Sequence, residues 1–460
     1  MTQKAKGPIP ADFLDDVTLY SVPKAPAPTD LKLDANEGVA PPSSLYAKLS
    51  EPGAENMNRY VSSAKLEAMI AERMGLSAGQ VLVTAGADDA IMRACRVYLH
   101  ARREMILPQP SFDMFTNFTH LAEGYITDVL WKDDDFPTED VIAAVSENTG
   151  IITVTSPNNP TGCVAQAEDI RRIGRAAPDS LLLVDLAYTH FADEDLSKSV
   201  FALPNALAAF TFSKAWGMAG LRVGFVAGPE KLVRPLRSAG LPYPASSLSL
   251  ALAQKWFVDG RDHVAQYVAQ AKSERERLEK LLYELGAKPT KSQANFVFAR
   301  FKDPLWIRDA MGGFGIAVRY IPRREDITGG VRIGCPGNEK DFSRLTHAMK
   351  TTLNPQALVF KFDGYEPNDD ELQIYKDKYP ATIICKKDES VAYAMEILGG
   401  KRTWVIADTP EAVADARKFG ALPVGVAKPD GDLEIFKKDM YAAGAARVFD
   451  TLQQPEEVLP

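Results

Sequence analysis

From about Lys65 onward, short runs of continuously apolar residues alternate with longer amphipathic stretches. Residues 65–75 (KLEAMIAERMG) place apolar side chains at helical spacing and end on a glycine, which predicts a helix closed by Gly75. Val81–Thr84 then reads as a strand, Asp88–Leu99 as a helix and Glu104–Leu107 as a second strand. Further runs at 150–155, 180–185, 208–212 and 221–227 are apolar on both faces. Parallel strands covered by helices on either side have this pattern. A doubly wound α/β domain is therefore expected in the centre of the chain.

The pattern changes after about residue 260. The charged amphipathic stretch His263–Leu285 predicts a long helix. Residues 295–301, 316–321 and 331–334 read as strands and 339–352 as a helix, together a smaller α+β domain. A boundary is expected at Leu353–Gln356, where the helix meets a proline. A third α/β unit then runs from Ala357 to about Asp450. The first thirty residues are rich in proline and predict an extended arm.

Composition narrows the function. A chain of 460 residues suits roughly three units at about 150 residues each. Lys plus Arg number 53 and Asp plus Glu 61, a net charge of −8, which gives no support to nucleic-acid binding or a polybasic membrane anchor. No apolar stretch approaches the roughly 20 residues that span a bilayer, and the N-terminus lacks the apolar core of a secretory signal. Cys95, Cys163, Cys335 and Cys385 lie far apart, so neither a disulfide framework nor a metal site is expected. A cytoplasmic setting is the expectation.

In an open parallel sheet, ligands sit outside the carboxyl ends of the strands. Three successive runs place Asn159, Asp185 and Lys214 there, 26 and 29 residues apart, close to one βα repeat of about 30. Lys214 suits covalent attachment of an aldehyde cofactor, and Asp185 suits holding a pyridine nitrogen protonated. Asn159 can donate to a ring hydroxylate, and Arg222 in GMAGLRVG can neutralise a phosphate. Taken singly, each residue is equally well a cap, a turn or a solvated side chain. Their even spacing in one order points instead to pyridoxal phosphate.

These motifs resemble the aspartate-aminotransferase-like superfamily of pyridoxal-phosphate enzymes, and within it the histidinol-phosphate aminotransferase group. The landmarks are LDANEG (33–38), NRY (58–60), VLVTAGADDAI (81–91), PQPSFDMF (108–115), SPNNPTG (156–162), VDLAY (184–188), TFSKAWGMAGLRVGF (211–225), SQANFVFARF (292–301), GIAVRYI (315–321) and GGVRIG (329–334). The resemblance implies an aminotransferase over residues 1–353, with a large domain at about 55–255 and a small domain formed by about 15–54 and 256–353. It implies that Lys214 bonds the cofactor and shuttles the proton, that Asp185 pairs with the ring nitrogen, and that Asn159 and Tyr188 contact the ring oxygen. Thr211, Ser213 and Arg222 would grip the phosphate, aided by the backbone of Ala87 and Asp88, while Phe112 stacks on the ring. Tyr60 would reach the neighbouring subunit's site, which implies a homodimer. Arg332, Arg319, Tyr20 and Asn36 would bind substrate, Arg319 taking a phosphate; for Tyr20 the local match can slip to Ser21. Arg323 and Arg324 read as a solvated loop.

The implied reaction passes an amino group from glutamate to imidazole-acetol phosphate, in histidine biosynthesis. Two departures keep other substrates open: Leu186 replaces the usual glutamate of Asp-Glu-Ala-Tyr, and Trp216 follows Lys214. An aromatic or other amino-acid aminotransferase, or a decarboxylase of a phosphorylated amino acid, would use the same scaffold. Residues 357–460 resemble a truncated haloacid-dehalogenase-like domain, through ALVFKFDG (357–364) and WVIADTPEA (404–412). Lys361 stands at that family's nucleophilic aspartate, with Asp363 and Asp408 remaining and Ala412 at a later acidic position unless Glu411 substitutes. Lys386 matches its phosphate lysine only loosely. A structural or regulatory module without metal or phosphatase activity is expected.

Overall fold

The computed structural model describes residues 12–17, 19, 21–47, 58–100, 103–132, 135–322, 329–364, 367–427 and 433–460. The chain divides into two compact units. One contains Glu37–Lys272 and Thr290–Asn295 with the N-terminal segment to Ser21; the other contains Val22–Asn36, Ser273–Pro289 and Phe296–Pro460.

The first unit is built on a seven-stranded sheet. Its order is Val81–Thr84, Gly224–Ala227, Ala206–Thr211, Leu181–Asp185, Thr149–Thr155, Glu104–Gln109 and Tyr125–Leu130. The strands pair in parallel except Gly224–Ala227, which runs antiparallel to both neighbours. This corrects the expectation that the run at 221–227 is one more parallel strand. The chain turns at Ala219–Leu221, Arg222 takes a left-handed conformation at φ 51°, and only then does the short strand begin. The helix expected at 65–75 spans Ala64–Met74, and Gly75 closes it at φ 67°. Alternate residues of the central strands, among them Leu181, Leu183, Leu207 and Ala209, pack with Ile91, Phe115 and Leu236 on one face.

The second unit joins three sheets through one core. Antiparallel strands Arg319–Ile321, Gly330–Gly334, Phe296–Arg300 and Lys288–Pro289 form the first sheet, and Leu31–Lys32 pairs in parallel with Ile316–Ala317. The single strand expected at 316–321 is thus two short ones, divided at Val318. Among the described N-terminal residues, the expected arm contains a short 3-10 helix at Asp12–Asp16, and that two-residue strand follows it. The C-terminal sheet is wholly parallel, in the order Thr382–Cys385, Ala357–Lys361, Thr403–Ala407, Leu422–Val426 and Val448–Phe449.

Both faces of this C-terminal sheet are covered, which accounts for its continuously apolar strands. Val359 and Val405 face a cluster with Val391, Ala394, Val413 and Met440. Leu358, Phe360, Trp404 and Ile406 face a core that includes Trp306, Met311, Phe342 and Met349 from helices Pro304–Gly313 and Glu339–Leu353. Trp404 is fully buried, lies 5.3 Å from Trp306 between ring centroids, and donates its indole N–H to Thr351 O at 2.7 Å. The C-terminal sheet is therefore an extension of the small domain's core. Trp404→Ala is expected to cost about 3–5 kcal/mol, the usual range for emptying a buried aromatic site. Denaturant unfolding checks this; an unchanged midpoint would mean that the two tryptophans do not share a stabilising core.

Candidate functional site

The first unit sets its polar residues in a row along neighbouring strand ends. Thr155, Asp185 and Ala209 are register partners across three parallel strands, and Thr211 lies two residues beyond Ala209. On the other side, Gly224 is the Cα partner of both Thr211 and Thr84. Two residues past Thr84, Gly86 starts helix Ala87–Tyr98 at φ 84° with no side-chain cap. A Cβ on Gly224 would stand 2.6 Å from Gly86 C and 2.8 Å from Ala87 N, so only glycine permits this approach. The geometry brings Thr211, Arg222 and the helix start at Ala87 and Asp88 together. The Arg222 guanidinium lies against Gly86, where a Cβ would meet Nη2 at 2.7 Å, and it pairs with Asp88 at 3.1 Å. Thr211 donates its hydroxyl to Ser213 Oγ at 2.8 Å.

Asp185 is buried at the end of its strand, and Oδ1 accepts the Ala187 N–H at 3.0 Å. Burial pushes its carboxyl up to about 7, the charge of Asp88 adds to the rise, and the Ala187 hydrogen bond and Lys214 oppose it. Its backbone carbonyl accepts the N–H of Ser156, tying the Ser156–Gly162 loop to this strand end. Asn158 braces the loop from within, donating to Pro110 O at 2.8 Å and Thr161 Oγ1 at 3.0 Å. Asn159, on the same loop, is half-buried. Tyr188 is buried, with Lys214 Nζ 5.6 Å from its ring centroid.

Lys214 sits in a tight turn, its carbonyl accepting the Gly217 N–H at 3.0 Å. The segment at Gly38 crosses this turn so closely that a Cβ there would meet Lys214 O at 1.9 Å. Gly217, at φ 65°, makes the reciprocal approach, where a Cβ would stand 2.0 Å from Val39 O. Sequence reasoning gave neither glycine a role; the available signal was Gly38 closing LDANEG and Gly217 following Trp216. Trp216 is buried against Phe212 and Phe257, and its carbonyl accepts the Trp256 indole N–H at 3.1 Å. With buried Leu186 it lines a cavity of about 600 Å³.

Phe112 is half-buried and packs edge-on to Phe115, with ring centroids 6.5 Å apart. Tyr60 is 84% exposed and stacks on Tyr243 at 4.7 Å. In the second unit, Arg319 and Arg332 are directly opposed on antiparallel strands, and both are buried. Arg332 donates from Nη2 to Asp34 O at 2.5 Å and lies over the Phe296 ring at 5.3 Å. Asn36 is buried at φ 56° in the same unit. Tyr20, Arg323 and Arg324 lie outside the described residues.

A mostly parallel sheet whose strand ends carry this lysine, aspartate and anion cradle defines an aminotransferase of the aspartate-aminotransferase-like fold. Residues 30–348 match the family model for aminotransferase class I and II, and the chain belongs to that family. Among its relatives is the histidinol-phosphate aminotransferase of Paracoccus denitrificans, 31% identical over 59% of this chain and 75% of that one. The aromatic amino acid aminotransferase of Mycobacteroides abscessus is 30% identical over 73% of this chain and 98% of its own. In fold, the chain is similar to histidinol-phosphate aminotransferase from Sinorhizobium meliloti, solved in complex with pyridoxal-5'-phosphate. The TM-score is 0.63 at 23% identity, over 70% of this chain and 92% of that one.

The residues present fit pyridoxal phosphate. Asp185 is a buried carboxylate whose ionised form needs a nearby positive charge, which a protonated ring nitrogen would provide. Thr211, Ser213, Arg222 and the uncapped helix start form a donor set suited to a phosphate.

The raised carboxyl has a consequence for stability. Between the ordinary Asp value of 3.8 and about 7, folded Asp185 keeps a proton that the unfolded chain has released, so stability falls as pH rises through that window. Protein stripped of cofactor is expected to show a steeper fall in Tm from about pH 4 to about pH 7 than Asp185→Asn, which lacks the titrating group. Parallel curves from differential scanning calorimetry would contradict the assignment.

Proposed function

We propose that this chain is a homodimeric, cytoplasmic pyridoxal-phosphate aminotransferase acting on histidinol phosphate and its oxo partner, with glutamate as amino donor. The observation that carries the substrate reading is the opposed pair Arg319 and Arg332. Like charges directly across an antiparallel pair oppose each other. Both residues are buried here, where water screens charge little. A substrate bearing a phosphate dianion suits such a pair better than one carrying a single carboxylate. The histidinol-phosphate aminotransferases among its relatives support the same choice.

Pyridoxal phosphate, when bound, supplies an electron sink for the pair released as the substrate Cα–H bond breaks. Lys214 Nζ would hold the cofactor covalently and would carry the proton leaving the substrate Cα. Asp185 would keep the ring nitrogen protonated, Asn159 and Tyr188 would hold the ring oxygen, and Phe112 would pack on the ring. Thr211, Ser213, Arg222 and the backbone at Ala87 and Asp88 hold the phosphate. Arg319, Arg332, Asn36 and Tyr20 orient substrate. Tyr60, exposed beside Tyr243, is assigned to the neighbouring subunit's site, and its exposure supports the dimer.

A second reading, an aromatic amino-acid aminotransferase, is favoured by the Mycobacteroides abscessus relative, nearly all of which this chain covers. Residues 357–460 form, in this proposal, a degenerate haloacid-dehalogenase-like module with a structural or regulatory role. The Lys361 ammonium donates to Asp363 Oδ1 at 2.7 Å, Lys386 O at 3.1 Å and Lys387 O at 2.9 Å. Asp408 accepts the N–H groups of Asp363 at 2.9 Å and Gly364 at 3.0 Å. A lysine so placed is itself the cation of this strand-end site, which suits a module without metal chemistry.

Titrating the holoenzyme's visible absorption separates the substrate readings. Histidinol phosphate is expected to shift the cofactor band at low concentration and phenylalanine only weakly. Arg319→Ala is expected to raise KM for histidinol phosphate about 10- to 100-fold, from losing about 1.5–3 kcal/mol of charged hydrogen bonding. KM for phenylalanine should change far less. Equal losses for both substrates, or a band that histidinol phosphate leaves unmoved, would favour the aromatic reading.

A further inference from the structure

The C-terminal module is linked to the substrate arginines through the N-terminal segment. Arg417, on helix Pro410–Lys418, donates from Nη2 to Pro28 O at 2.8 Å and lies 3.7 Å from Asp30 Oδ1. Arg344 grips the same carboxylate with two bonds, of 2.6 and 2.7 Å, and also donates to Phe314 O at 2.6 Å. All three side chains converge on Gly315. At φ 77°, a Cβ there would meet Asp30 Oδ1 at 2.3 Å, Arg417 Nη2 at 2.5 Å and Arg344 Nη2 at 2.6 Å. The Gly315 carbonyl in turn accepts the N–H groups of Asp30 and Leu31, at 2.9 and 3.0 Å.

This clamp begins both strands that lead to the arginines. Leu31–Lys32 pairs with Ile316–Ala317, and Leu33 N–H continues the pairing to Ala317 O at 2.9 Å. One strand then reaches Asp34, whose carbonyl accepts from Arg332. The other passes Val318 to Arg319, which opposes Arg332. Gly334 N–H closes the frame onto Leu33 O at 3.0 Å.

We propose that Arg417 is a positioning residue for the reaction: through Pro28, Asp30 and Gly315 it sets the register of segment 30–34, and so the placement of Arg332. The C-terminal module thus completes the substrate-anion site without touching substrate. An exposed ion pair alone contributes little. Here, however, the pair is joined by backbone bonds to a carbonyl and a strand whose displacement moves a buried guanidinium. The proposal rests on Arg332 being the substrate-anion arginine, and its test separates the two claims.

In the full-length holoenzyme, Arg417→Ala is expected to raise KM for histidinol phosphate and glutamate about 10-fold, below the roughly 100-fold that a 1 Å misplacement can cost. The cofactor spectrum and kcat should stay close to wild type, and Arg417→Lys should recover part of the loss. Asp30→Asn, at an exposed side chain, should reproduce the KM effect if Arg417→Ala folds poorly. In an Arg332→Lys background, Arg417→Ala should add almost nothing, because both act through the same group. A raised KM in Arg332→Lys beside unchanged KM in Arg417→Ala and Asp30→Asn overturns the relay alone. Unchanged KM in Arg332→Lys removes the underlying assignment and the relay with it. A fall in kcat and Tm at constant KM would show that Arg417 only supports the fold.

Discussion

A carboxylate held out of water at the end of a buried strand is costly in its charged form until a positive charge stands beside it. Asp185 is such a group, and the neighbouring architecture can be understood around it. Parallel pairing on both sides keeps its strand away from solvent. Its carbonyl fastens the Asn159 loop, and the next strand end leads to Thr211, Ser213 and Lys214. The cost of ionising Asp185 favours a ligand that brings a ring cation.

The glycines around the site act through exclusion. Gly38, Gly86, Gly217 and Gly224 all lie where an added Cβ would strike backbone or the Arg222 guanidinium. They allow the turn carrying Lys214 to lie against the segment at Val39. They also allow the helix start at Ala87 to lie against the strand that begins at Gly224. The site's geometry is thus set by backbone packing as well as by its side chains.

Much of this was readable from the chain. The apolar runs located the central strands, and the βα spacing brought Asn159, Asp185 and Lys214 to the same sheet edge. Direction was not readable: the run ending at Ala227 is as apolar as its neighbours, yet it pairs antiparallel, the chain returning through the loop at 212–223 in which Arg222 takes a φ of 51°. The edge strand Tyr125–Leu130 escaped notice because most of its residues are at least partly exposed and break the apolar run. The clamp at Gly315 left no periodic trace, since its partners Arg417 and Pro28 lie 389 residues apart. The apolar pattern did mark the C-terminal strands, but the core they share with helices Pro304–Gly313 and Glu339–Leu353 arises from tertiary packing.

Lys214 is assigned here as the residue that bonds pyridoxal phosphate, at the strand end beside Asp185. Borohydride reduction of cofactor-loaded protein, followed by peptide mass mapping, tests it most directly. One modified peptide per chain is expected, with the mass of the reduced cofactor on Lys214. Modification spread over other lysines with Lys214 untouched would contradict it.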